Sequence, residues 1–189
     1  MADGDRTVRS RAGIALKAIT GVSHAESMPA PLPPWNDAIW ETIESIGRDQ
    51  LVEMNTTKGT IRIRLARDDA PFTVASLVKL TRRGFYNGLS IHRVVPNFVV
   101  QGGDPRGDGW GGPGYAIRTE ISMLRFEEGS CGIASAGRDT EGCQFFIMHS
   151  AAPHLDGRYT VFGRVVSGRD VVDRLQVGDR VISMQLTGK

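Results

Sequence analysis

The sequence predicts a mainly β fold: an antiparallel barrel with helices capping its ends. Short runs rich in β-branched and aromatic residues recur from Gln50 to Leu186, separated by clusters of Gly, Pro, Asn and Asp. Inside them apolar and polar side chains alternate, as in Ile61, Ile63 and Leu65 against Arg62 and Arg64, so the sheet has one wet face. Only two stretches in that span follow a helical period, and many short strands at regular spacing broken by two helices suggest a barrel.

The first strands are Gln50–Asn55 and Thr60–Leu65, a hairpin around Thr57-Lys58-Gly59. Asp69-Ala70-Pro71 opens a helix with proline in its first turn; Val74, Leu77, Val78 and Leu80 give it an apolar side, and Gly84 closes it. Two short strands flank Pro96-Asn97, from Ile91 and through Gln101. Further strands are predicted over Gly129–Ala136, Cys143–His149, Tyr159–Val166 and Arg180–Leu186, with a short helix at Asp170–Leu175.

Upstream of this domain the pattern changes. Residues 6–20 carry Val8, Ala12, Ala15, Leu16 and Ile19 on a helical period, with Arg6, Arg9, Arg11 and Lys17 mostly elsewhere, and Gly21 placed to stop the helix. This segment resembles the last helix of a HEAT-type repeat, which would make the chain the C-terminal part of a longer protein with a helical-repeat domain upstream. An ordinary docking helix or a frayed tail accounts for it equally. Residues 22–48 form a linker with four prolines between Pro29 and Pro34, then a short helix from Asn36 to about Ile46 with Ile39, Trp40 and Ile43 on one side. The folded domain is predicted over residues 49–189.

Composition excludes several classes. Hydrophobic content of 40% with 23% charged residues belongs to a soluble globular protein. A net charge of +2 gives no electrostatic case for nucleic acid. No run approaches the ~20 apolar residues that cross a bilayer, and no signal peptide opens the chain. Cytoplasmic residence is the default expectation, and export would need a signal on a longer parent chain. Cys131 and Cys143 make no disulfide framework, and the histidines lack companions at ligand spacing, so no metal or cofactor is expected.

The chemistry centres on Ile91–Asp104. A period of two puts Arg93 and Val95 on one face of the first arm, with Val99 and Gln101 sharing a face of the second. A guanidinium, an amide and apolar side chains then converge on one patch. The glycine-dense loop Gly102–Gly114 lacks a P-loop lysine and a following helix, so it reads as a turn system around a site. Taken alone, Arg93 could instead pair with a carboxylate across the sheet, and Asp139 and Glu141 read as a solvated turn.

Phe85-Tyr86-Asn87-Gly88, His92-Arg93-Val94-Val95-Pro96, Phe98, Gln101-Gly102-Gly103-Asp104, Gln144-Phe145-Phe146-Ile147, Leu155-Asp156-Gly157 and Val161-Phe162-Gly163 stand in the order and spacing of one family. From about Leu51 to Leu186 the chain resembles the cyclophilin-type peptidyl-prolyl cis–trans isomerases, in their bacterial-like form. The resemblance implies a closed eight-stranded antiparallel barrel capped by two α-helices, with the residues before it as a helical extension. It implies catalysis of Xaa-Pro rotation in peptides and in unfolded or partly folded proteins, without covalent intermediate or cofactor. Arg93 becomes the catalytic arginine, with Gln101 orienting the substrate. Phe98, Val99, Phe146, Leu155 and Tyr159 would line the proline pocket. Ala134, Ser135, Ala136 and Gln144 would hold the substrate backbone and flanking surface, with His154 on the rim. Against animal cyclophilins, Val99 replaces methionine, Ser135 asparagine, His154 tryptophan and Tyr159 histidine. Weak cyclosporin binding is therefore expected. The alternative from another class is a proline-segment-binding module of the same fold with little catalysis.

Overall fold

The computed structural model describes residues 30–31 and 37–188; the helix expected over residues 1–21 and most of the proline-rich linker lie outside the described residues. In chain order the strands are β1 (Ala30–Pro31), β2 (Leu51–Thr56), β3 (Gly59–Leu65), β4 (Arg93–Val95), β5 (Val99–Gly102), β6 (Tyr115–Ala116), β7 (Ser130–Ile133), β8 (Phe145–Met148), β9 (Val161–Ser167) and β10 (Val181–Thr187). Helices α1 (Asp37–Glu44), α2 (Pro71–Arg82) and α3 (Arg169–Arg174) and a 3-10 turn at Pro153–Leu155 complete the set.

Eight strands form one antiparallel sheet in the order β10-β2-β3-β9-β7-β8-β5-β4, which curls into a half-barrel. A few backbone hydrogen bonds link the segment before β4 to the start of β10. Gly88 N–H donates to the Val181 carbonyl (2.6 Å), Ile91 N–H to Asp179 (2.7 Å) and Val181 N–H back to Leu89 (2.9 Å). β4 is only three residues long, so the chain before it carries these contacts in its place.

Alternation along the strands divides the apolar residues into two clusters. Val100, Phe145 and Ile147 point into the main core with Val52, Met54, Ile61, Phe162 and the buried face of α2. Their neighbours Val99, Phe146 and Met148 point the other way, joining Phe126, Ala152 and Val161 in a smaller cluster edged by Phe98, Leu155 and Tyr159. That second cluster floors the site.

Loops hold the helices in place. Ala70 gives α2 no side-chain cap. Its first free N–H groups, on Phe72 (3.0 Å) and Thr73 (2.7 Å), donate instead to the carboxylate of Glu120, reaching from a distant loop. α1 packs Ile39 and Ile43 on the main core, and Trp40 meets the Phe72 ring edge-on at 5.4 Å. β1 runs parallel to β6, with Ala30 opposite Tyr115, so the linker touches the domain at this point. Neither two-residue strand has a sequence signature.

Candidate active site

One row of residues crosses four strands. Arg93 on β4 stands opposite Gln101 on β5, Gln101 opposite Phe146 on β8, and Phe146 opposite Gly132 on β7. The row exists because Pro96-Asn97 turns the chain tightly, with Asn97 in the left-handed region (φ 59°), which asparagine tolerates better than most residues. Three residues, Pro96, Asn97 and Phe98, connect the arms, so Val95 faces Val99 and the two same-face pairs come together.

Above the row lies a cleft of about 240 Å³ lined by Arg93, Phe98, Val99, Gln101, Ala134, Ser135, Phe146, Leu155 and Tyr159. Its floor is aromatic. Phe146 stacks on Phe126 at 5.5 Å and meets Tyr159 edge-on at 6.1 Å. Gly132 is what lets the Phe146 ring lie flat over β7. Phe98 forms one wall, its outer face stacked on the exposed His154 ring at 5.7 Å.

The polar side is an ordered chain of hydrogen bonds. Arg93 Nη1 donates to Gln101 Oε1 (3.2 Å), and Gln101 Nε2 donates to Gln144 Oε1 (3.0 Å). Gln144 Nε2 donates in turn to the carbonyls of Gly111 (2.9 Å) and Gly109 (3.0 Å). Both amides are thereby fixed in orientation, and a guanidinium with donors to spare is aimed from an exposed strand edge. The residue opposite Arg93 is an amide, so the cross-sheet carboxylate pair is not formed there.

Nine of the twelve residues expected at the site line the cleft. Gln144 stands behind Gln101 and positions it. Ala136 lies on the exposed rim, its N–H donating to Thr140 Oγ1 (2.9 Å), and His154 braces Phe98 from outside. Sequence reasoning missed the clamp between Gln144 and the glycine loop, because backbone carbonyls carry no sequence signal. It also missed Phe126 and Gly132 beneath Phe146, although a glycine inside a strand pattern is a sign of close approach.

Glu141 corrects an expectation. It is fully buried, and neither carboxylate oxygen has a hydrogen-bond partner among the described residues. Ile117 N–H pairs with its backbone carbonyl (2.8 Å), drawing the residue under the loop rather than into solvent. Burial raises its carboxyl above the ordinary range. A carboxyl with a raised folded-state pKa favours folding fully below its unfolded value, and that benefit is lost as pH climbs towards the folded value. Glu141→Gln is therefore expected to raise the melting temperature at neutral pH, with the gain shrinking towards pH 4; parallel melting curves across pH would overturn this.

The other titratable candidates are not built for chemistry. His92 is half-buried on the side of β4 away from the cleft, both ring nitrogens lack partners, and burial lowers its pKa. Cys143 is buried, its thiol pushed up to about 12, and burial raises Cys131 further. Both are unreactive as thiolates near neutrality. Among the described residues no three His, Cys, Asp or Glu side chains are grouped to hold a metal.

Comparison with known proteins agrees with the geometry. Residues 51–185 match the family model described as cyclophilin type peptidyl-prolyl cis-trans isomerase. A peptidyl-prolyl cis-trans isomerase of Synechococcus elongatus is 49% identical over 135 residues, 70% of this chain and 93% of the relative. Peptidyl-prolyl cis-trans isomerase B of Bacillus subtilis is 47% identical over 130 residues, 68% of this chain and 91% of the relative. Among solved structures, a Cryptosporidium parvum cyclophilin-type isomerase superposes with a TM-score of 0.70 at 26% identity, covering 74% of this chain and 98% of that one. The same protein was also solved in the presence of the dipeptide Ala-Pro, with a TM-score of 0.69. With a row of arginine, glutamine and phenylalanine over an aromatic floor, and with relatives nearly half identical over the matched region, the chain belongs to the cyclophilin-type peptidyl-prolyl cis-trans isomerases.

Proposed function

We propose that the chain accelerates rotation about Xaa-Pro bonds in peptides and in unfolded or partly folded proteins, with Arg93 as the catalytic group. The observation that carries this reading is the hydrogen-bonded sequence Arg93–Gln101–Gln144 set beside an apolar, ring-sized floor. Rotation breaks no covalent bond but must overcome the ~18–20 kcal/mol of amide resonance. As the bond twists, the prolyl nitrogen regains its lone pair. A guanidinium fixed against Gln101 donates to that nitrogen more strongly than to the planar amide, and only such differential binding lowers the barrier. Phe98, Phe146 and Leu155 hold the ring while the preceding carbonyl swings, and Gln101 and the edge at Ala134–Ser135 hold the backbone.

A module that only grips proline segments is not favoured. It has no use for a donor ordered through two amides, and the relatives are named as isomerases. The exchange of backbone hydrogen bonds between Gly88–Ile91 and Asp179–Val181 supports a barrel closed around this site. The rim supports weak cyclosporin binding, because His154 leans on Phe98 where animal relatives carry an indole. Sub-micromolar affinity in a calorimetric titration would overturn that expectation.

The experiment for the main reading is exchange spectroscopy on an Ala-Pro peptide with catalytic amounts of protein. Accelerated interconversion is the expected result. Saturable peptide binding without acceleration would leave only the binding module.

A further inference from the structure

We propose that the loop Ile121–Leu124 is the docking surface for this chain's own amphipathic N-terminal segment, residues 6–20. Ile121, Met123 and Leu124 are 51%, 93% and 38% exposed, three large apolar side chains within four residues. The loop is anchored at both ends. Glu120 is fixed on the start of α2, and buried Phe126 donates its N–H to Asp156 Oδ1 (2.8 Å). Three exposed apolar side chains on one anchored loop form a surface that a partner could cover. None of the three residues lines the cleft, so substrate does not account for them.

The path of the chain names the occupant. Ala30–Pro31 pairs with Tyr115–Ala116, bringing the N-terminal segment onto the domain six residues before Ile121. The chain then enters α1, whose Trp40 is half exposed against Phe72, the residue bonded to Glu120. Residues 21–29 reach at most ~30 Å when extended, enough to bring residues 6–20 back over this flank. The stripe Val8, Ala12, Ala15, Leu16 and Ile19 needs a partner to bury it. Glu44 on this face of α1 is offset by Arg118, which lies 5.0 Å over the Phe72 ring, so the apolar stripe rather than charge would carry the contact.

A nitroxide placed through Ser10→Cys tests this in the full chain, since Cys131 and Cys143 are buried and escape labelling. In dilute solution the Met123 methyl signal should be lost to paramagnetic broadening, and it should return in the Leu16→Asp, Ile19→Asp double variant. Met123→Lys should in turn remove hydrogen-exchange protection from residues 6–20. An unbroadened Met123, or broadening that appears only when labelled and unlabelled copies are mixed, overturns the proposal; the second result would make another copy the occupant. Isomerase activity is not among these readouts, so failure here leaves the catalytic reading untouched.

Discussion

Arg93→Ala is expected to lower catalysed isomerisation by about 10²–10³, the cost of removing one fixed transition-state donor. The side chain is exposed, so stability should hardly move. The floor of Phe98, Phe146 and Leu155 is untouched, so a proline peptide should still bind. The loss then falls on kcat rather than KM, as it must for an interaction made mainly in the transition state. Arg93→Lys should recover little, because an ammonium lacks the planar fork that bonds Gln101 while keeping a second donor free. Exchange rates on an Ala-Pro peptide, with melting curves as a folding control, decide the matter. A folded Arg93→Ala protein that keeps its rate would remove the guanidinium from the mechanism.

Gly132→Ala is expected to destabilise the domain and spoil the cleft together. A Cβ on Gly132 would stand 2.3 Å from Phe146 Cζ and 2.6 Å from Phe126 Cε1, in a pair of stacked rings. Phe126 is buried with nowhere to retreat, and Phe146 could yield only by rising into the cleft it floors. Overpacking of this kind costs about 1–3 kcal/mol, read as a lower denaturation midpoint at unchanged slope. Because Phe146 is also the floor of the cleft, peptide affinity should fall with it. A variant as stable as the parent, with its peptide affinity intact, would show that the rings yield and that the row tolerates a side chain.

Much of this was legible in sequence, and the legible part is local. The Ile61–Ile63–Leu65 alternation foretold β3, and the proline and apolar face of residues 71–80 foretold α2. A period of two put Arg93 with Val95 and Val99 with Gln101, each pair on one face of its arm; which residues stand opposite one another came only with the strand register. Glu141 was misread because Asp139-Thr140-Glu141-Gly142 has the composition of a solvated turn; what buries it is a partner, Ile117, supplied by another loop. Glu120 capping a helix 47 residues away, and Gln144 holding two glycine carbonyls, are likewise contacts between distant segments. Strand limits were the softer part. Gly129–Ala136 shrank to Ser130–Ile133 once the flanking residues bent away to form the groove edge.

The strand order also constrains how the protein is made. β2, the first strand of the sheet to leave the ribosome, lies between β3 and β10, and β10 is the last. Throughout translation of the intervening residues, the β10-facing edge of Leu51–Thr56 is therefore unpaired and open to other chains or to any chaperone at the exit tunnel. The final fold is sealed only after Val181–Thr187 arrives, through pairings of the greatest sequence separation, such as Leu51 with Thr187. Late completion, after every other strand of the sheet has been made, is the consequence of such pairing. The sheet is thus completed by the pair of strands that lie farthest apart in the sequence.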